Sequence, residues 1–193
     1  MESNDRSLVV TLPGWIDDVV ASFPASLASH AERMALVIAL ARENVERGGG
    51  PFGAAVFSGS RLIAAGVNRV LESGLSIAHA EILALMSAQQ KLGTAAGSLS
   101  GSATLVTSTE PCCQCFGAIV WSGVTELVCG ATTADAEAVG FDEGPKPDAW
   151  PEVLEARGIS VVREVRRAEA KSVLEEYARR GGIIYGLRHP TLP

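Results

Sequence analysis

Two short stretches restrict this chain more than anything else in it: His79-Ala80-Glu81 and Pro111-Cys112-Cys113-Gln114-Cys115. Each puts reactive side chains at the start of an otherwise apolar segment of helical character, residues 78–92 and 112–122. Cys112 and Cys115 stand three apart, so on a helix they share one face. Two thiolates and one imidazole suit Zn²⁺ and leave a fourth position for water. The charges also balance, because two thiolates neutralise the ion and a neutral imidazole adds none. The partial positive charge of a helix N-terminus favours thiolate over thiol at both cysteines. Any fold must therefore bring His79 beside Cys112 and Cys115.

Glu81 follows His79 by two residues, an offset at which it need not bind the same ion but can hang beside the open position. A carboxylate there can take a proton from the water and hand it to a ring and a leaving amine. Zinc lowers the pKa of water to about 7, which makes hydroxide available at neutral pH. The plain alternative is a core histidine with cysteines as apolar filler. The coincidence of so many parts, in this order, argues against it. Cys113 falls off the ligand face and Cys129 lies in a strand-like run, so both read as buried thiols.

The rest of the chain alternates helix and strand. Residues 1–29 read as an N-terminal extension, with an apolar run at 8–12 and a Pro13-Gly14 turn. Residues 30–47 form an amphipathic helix, opened by His30 without special work and stopped by Gly48-Gly49-Gly50-Pro51. Residues 52–57 and 61–70 pair as a hairpin across Ser58-Gly59-Ser60. Strands are expected at 103–108, 125–130 and 159–165, and helices at 133–139 and 167–180, with a helical turn at 152–157. Residues 94–101 and 140–151 are loops. This order predicts a partly parallel sheet covered by helices, in one domain spanning 30–193.

The pair H-x-E and P-C-x-x-C is the signature of zinc nucleobase deaminases, and residues 79–115 resemble the cytidine-deaminase superfamily. Beyond the zinc motif, the chain from about residue 30 onward is similar to the prokaryotic guanine deaminases. That resemblance rests on Gly49-Gly50-Pro51-Phe52-Gly53, Asn68-Arg69-Val70, His79-Ala80-Glu81-Ile82, Pro111-Cys112 to Cys115, Ile119-Val120-Trp121 and Gly140-Phe141-Asp142-Glu143. It implies a three-layer α/β/α fold on a central mixed sheet, and hydrolysis of guanine to xanthine and ammonia. Some members of the group also hydrolyse ammeline, an amino-triazine.

The resemblance further implies that His79, Cys112 and Cys115 hold one zinc ion and that Glu81 shuttles protons. It makes Glu143 a second acid, Asn68 an amide that reads the purine, and Ala80 a contact to the base. Phe52 and Trp121 become aromatic walls. Each role is chemically apt: planar bases stack on aromatic faces, and an amide offers both donor and acceptor. Each residue also has an ordinary reading. Phe52 and Trp121 suit core packing, Asn68 a turn cap, and Glu143 a solvated loop acid. Tyr185 and His189 fall in a C-terminal tail that either closes over the pocket or stays loose. Cys113-Gln114 departs from the middle pairs of the group, which affects the pocket floor more than the metal.

Charge bears on partners. The formal net charge is -6; residues 1–150 carry 8 Lys+Arg and 16 Asp+Glu (8 − 16 = −8), and residues 151–193 carry 8 and 6 (8 − 6 = +2). An acidic body argues against a nucleic-acid partner, and so against tRNA adenosine deamination, the main alternative within the superfamily. The basic C-terminal residues alternate with Glu at helical spacing, as on a solvated helix face. The polar N-terminus lacks a signal-peptide pattern and no apolar run is long enough to span a bilayer, so the expectation is a cytoplasmic enzyme without membrane contact. Four cysteines in that compartment suit a metal better than disulfides. Related enzymes imply a homodimer. A zinc-stabilised binding module without turnover is the alternative from another class, and the presence of Glu81 argues against it.

Overall fold

The computed structural model describes residues 9–93, 99 and 101–185. Five strands form one sheet: β1 (Gly53–Ser58), β2 (Arg61–Val67), β3 (Ala103–Thr109), β4 (Glu126–Ala131) and β5 (Ser160–Val162), in the order β2-β1-β3-β4-β5. β1 runs antiparallel to both β2 and β3, whereas β3, β4 and β5 are parallel to one another. The mixed sheet has this form because a tight turn returns β2 against β1, while helical crossovers feed the parallel strands.

The helices are α1 (Trp15–Ala21), α2 (His30–Glu46), α3 (Val70–Ser73), α4 (Ala80–Leu92), α5 (Cys113–Ser122), α6 (Thr133–Glu137), α7 (Trp150–Glu155) and α8 (Arg167–Arg179). Strand residues alternate between two cores. Ala55, Phe57, Val106 and Val128 pack with Met34, Leu40 and Leu174 on the α2/α8 side. Ala54, Val56, Leu105 and Leu127 pack with Ala84, Ile119 and Leu154 on the α4/α5/α7 side. The period-2 pleat thus separates two helical layers, giving the expected α/β/α sandwich.

α2 begins with a capping box, in which the Ser29 side chain accepts from the Glu32 N–H and the Glu32 carboxylate accepts from the Ser29 N–H. His30, the first residue of α2, is not partnerless: its Nε2 lies 3.2 Å from Glu126. Residues 9–29 do more than the sequence suggested. They include α1, whose Ile16 is buried against the α2 side with Trp15, Val19 and Val20 around it. Asp17 and Asp18 interrupt the apolar pattern and hide this short helix from periodicity. Helix α3 replaces the predicted end of the second hairpin strand, and α7 begins at Trp150, inside the predicted loop.

One glycine fixes the active-site helix to the sheet. A Cβ at Gly66 on β2 would lie 2.6 Å from both the Ala80 carbonyl oxygen and the Ala84 nitrogen, so α4 rests directly on that strand. Both atoms belong to helix backbone and cannot swing aside. Gly66→Ala is expected to lower the unfolding free energy by about 1–3 kcal/mol, the usual range for overpacking. The change should appear as a lower urea midpoint at unchanged slope. A wild-type midpoint would show that α4 lifts without cost.

Candidate active site

The sheet brings the starts of α4 and α5 side by side. His79 and Cys112 are their N-cap residues, both with extended backbone, and Glu81 and Cys115 lie in the first turns. His79 Nδ1 stands 3.4 Å from Cys112 Sγ and 3.5 Å from Cys115 Sγ, and the three ligand atoms lie within 4.8 Å of one another. Nitrogen and sulfur at usual zinc bond lengths around a tetrahedron are separated by about 3.6 Å. The donor set, its spacing and its burial therefore fit zinc, with three protein ligands of a four-coordinate site. Cys129 is buried in β4, as expected; Cys113 is only half-buried, its sulfur against Gly144. All four cysteines are free thiols.

The electrostatics suit a cation. Hydrogen bonding from Cys115, with help from His79, holds Cys112 down to about 4 in spite of burial. Cys112 in turn drives Cys115 well above the ordinary thiol range. The close pair of sulfurs thus favours one thiolate, and a divalent cation bound there would favour two. Burial pulls the His79 imidazole down, but the Cys112 hydrogen bond and the Glu81 charge outweigh it and leave it raised. Glu81 is 7% exposed, and burial followed by the Cys112 charge raises its pKa.

A pocket opens beside these groups, lined by residues of both motifs and of the Gly140–Gly144 loop. His79, Glu81 and Cys112 form one wall, Asn68 and Glu143 another, and Phe52, Phe141 and Tyr185 are the aromatic lining. Phe141 organises that lining, edge-on to Phe52 at 4.9 Å and to Tyr185 at 5.3 Å. The Asn68 Oδ1 accepts from the Val70 N–H, which leaves its Nδ2 as donor. Tyr185 is held over the pocket with its hydroxyl buried and unpartnered among the described residues. His189 lies outside the described residues.

Glu143 sits where the Gly140–Gly144 loop docks on the Cys112 turn, its carbonyl accepting from the Cys113 N–H at 2.9 Å. Its Oε2 is buried without a partner. Burial first, then the Cys112 charge, pushes its pKa up to about 8, so Glu143 is protonated at neutral pH. For an acid whose folded pKa is raised, the folded state binds the extra proton. Its stability is full below the unfolded value near 4.5 and is lost as pH rises through about 8. Glu143→Gln, which cannot ionise, should be more stable than wild type at pH 8, with the gap closing towards pH 4.5. Denaturant melts at both pH values check this, and a pH-independent gap would contradict it.

Two residues that the resemblance assigned to the base are not among those lining this pocket in the single chain. Trp121 is 78% exposed on the outer side of α5, beside Ile82, Met86 and Ala118 rather than in this pocket. It follows the buried Ile119 by two residues, which on a helix points it the opposite way. Ala80 opens α4 with its side chain fully buried in the core cluster. The sequence reading gave no role to Phe141 or Asp142, both in the pocket wall. Both stood in the Gly140-Phe141-Asp142-Glu143 stretch that carries the resemblance, but composition alone marked them only as part of a Gly/Pro-rich loop.

Fold and site together define a zinc-dependent hydrolytic deaminase. Residues 25–131 match the cytidine and deoxycytidylate deaminase zinc-binding region, and the chain belongs to that family. The guanine deaminase of Bacillus subtilis is 39% identical over 116 residues, covering 60% of this chain and 72% of that protein. A solved guanine deaminase from Nitrosomonas europaea shares 46% identity over 92% of this chain and 99% of its own, with a TM-score of 0.83. A solved mutant relative in complex with 8-azaguanine is 47% identical, with a TM-score of 0.85 over 92% of this chain and 99% of its own.

Proposed function

We propose that this chain hydrolyses guanine to xanthine and ammonia. The observation that carries the reading is the juxtaposition of His79, Cys112 and Cys115 and buried Glu81 with an aromatic-lined pocket holding Asn68 and the buried Glu143. Zinc, when bound, supplies a water-derived nucleophile at neutral pH. Glu81 accepts the proton released from the attacking water and returns it to the purine ring. Glu143 supplies a proton to the departing amine, so that one carboxylate need not make every transfer. Asn68 donates from Nδ2 to the purine edge, and Phe52 takes the base against its ring. As the xanthine carbonyl forms, the added hydroxyl gives up its remaining proton and restores the acid form of Glu143, so guanine and water become xanthine and ammonia.

The enzyme works on small molecules. Its net charge of -6 and the Asp142 carboxylate at the pocket disfavour a phosphate backbone. Among the described residues no helix is long and apolar enough to cross a membrane. The cytoplasm, which keeps zinc-ligating thiols reduced, is its compartment. Residues 30–193 form the deaminase domain and residues 1–29 an addition to it. The outward Trp121, Met86 and Ile82 make an apolar face on α4 and α5 that suits a homodimer. Sedimentation at micromolar concentration tests the dimer.

The decisive experiment is ammonia release from guanine, ammeline, cytosine, adenine and their nucleosides, with metal analysis on the same sample. Guanine should be the best substrate of zinc-loaded protein. No release from guanine would overturn the reading, and faster release from ammeline would make it a triazine deaminase. A salt-dependent complex with tRNA would overturn the small-molecule assignment.

A further inference from the structure

Asn44 is fully buried near the end of α2, 24 positions from Asn68. Its Nδ2 donates to the Gly50 carbonyl at 2.7 Å and to the Asn68 carbonyl at 2.9 Å. Those two segments carry the purine-facing residues. The Phe52 N–H donates to the Gly50 carbonyl, and the Asn68 N–H donates to the Phe52 carbonyl. A closed ring of hydrogen bonds therefore runs from Asn44 through Gly50, Phe52 and Asn68 and back to Asn44. Two pocket residues from different strands and loops are joined to one side chain.

The amide is kept at a cost. Asn44 Oδ1 is buried with no partner among the described residues, which buried polar atoms seldom tolerate without reason. Only an amide of this length offers two N–H donors at one nitrogen; aspartate has the same shape and no donor. Gly49 is shaped to it as well, because a Cβ there would fall 2.6 Å from Asn44 Cγ, Nδ2 and Oδ1.

We propose that Asn44 is a positioning residue for substrate recognition, setting the relative placement of Phe52 and Asn68. This rests on the proposed function, in which those two residues hold the purine. Among the described residues Asn44 hydrogen-bonds neither the zinc ligands nor Glu81, so its loss acts on binding and spares the chemical step.

Two variants test it from opposite sides. Asn44→Asp removes the donors at constant shape. Gly49→Ala leaves Asn44 intact but displaces its amide, and serves if the aspartate variant does not fold. In each, KM for guanine should rise about tenfold, the size of one lost buried hydrogen bond. The kcat value should stay within about threefold, with zinc still bound. Combined with Asn68→Ala, the KM penalties should be non-additive, since both act through one contact.

Hydrogen exchange supplies a readout without substrate. Protection of residues 50–53 and 67–70 should drop about tenfold while the core of α2 stays protected. Unchanged KM with unchanged exchange overturns the proposal. So does a joint fall in kcat and zinc content, or full additivity with Asn68→Ala, because a general packing role predicts those. If wild-type protein releases no ammonia from guanine, the proposed function falls, and the exchange result alone decides whether Asn44 ties these segments together.

Discussion

Glu81→Gln should leave zinc bound and reduce ammonia release by about 10³–10⁴-fold. The upper part of the range for general acid–base catalysis applies because one carboxylate makes two transfers. Glutamine keeps the shape and burial of Glu81 in the first turn of α4 but cannot accept a proton. The ligand set of His79, Cys112 and Cys115 does not include this residue, so metal content should stay at that of the wild type. Ammonia assay and metal analysis on one preparation separate the two effects. Equal turnover by variant and wild type would remove Glu81 from the mechanism, and joint loss of zinc and activity would make it a structural support of the metal.

Cys115→Ser should abolish both metal binding and activity. Cys115 is wholly buried, and its sulfur is one of the three ligand atoms gathered in the site among the described residues. A neutral serine hydroxyl restores neither the charge nor the soft donor that zinc requires. The loss should also appear in stability. A ligand present at about a thousand times its dissociation constant stabilises the native state by about 4 kcal/mol. In a chain of 193 residues that corresponds to a Tm change of roughly 8–16 °C. Wild-type protein should lose this increment on chelation and regain it with zinc. The variant should melt near the chelated wild type and respond to neither treatment. A variant that keeps zinc-dependent melting would show that His79 and Cys112 suffice.

The two results are linked by geometry. Gly66 lets α4 lie directly on β2, and the parallel pairing of β3 with β4 sets α5 beside it. Ligands from two helix starts then meet at the spacing of a zinc site. A change at Gly66 should reach the metal through His79, although it touches neither metal nor substrate.

The chemistry of this protein was written locally. His79-Ala80-Glu81 and Pro111 to Cys115 are contiguous motifs whose spacing on helices already dictates a metal face, and the alternation of apolar runs dictates a helix-covered sheet. Short-range periodicity carries that information because it follows from the repeat of the backbone itself. What encloses the substrate came only from long-range packing. Phe141 and Tyr185 become pocket walls because a loop and a chain end return to the same place, and no local pattern encodes that return. Trp121 took the outer side of α5 because Cys115 and Ile119 claim the inner one. Asn44 looked like one more polar residue on a helix, yet it bridges residues 6 and 24 positions away. A backbone carbonyl reveals no partner in sequence, since every residue has one; only the folded chain shows which donor reaches it.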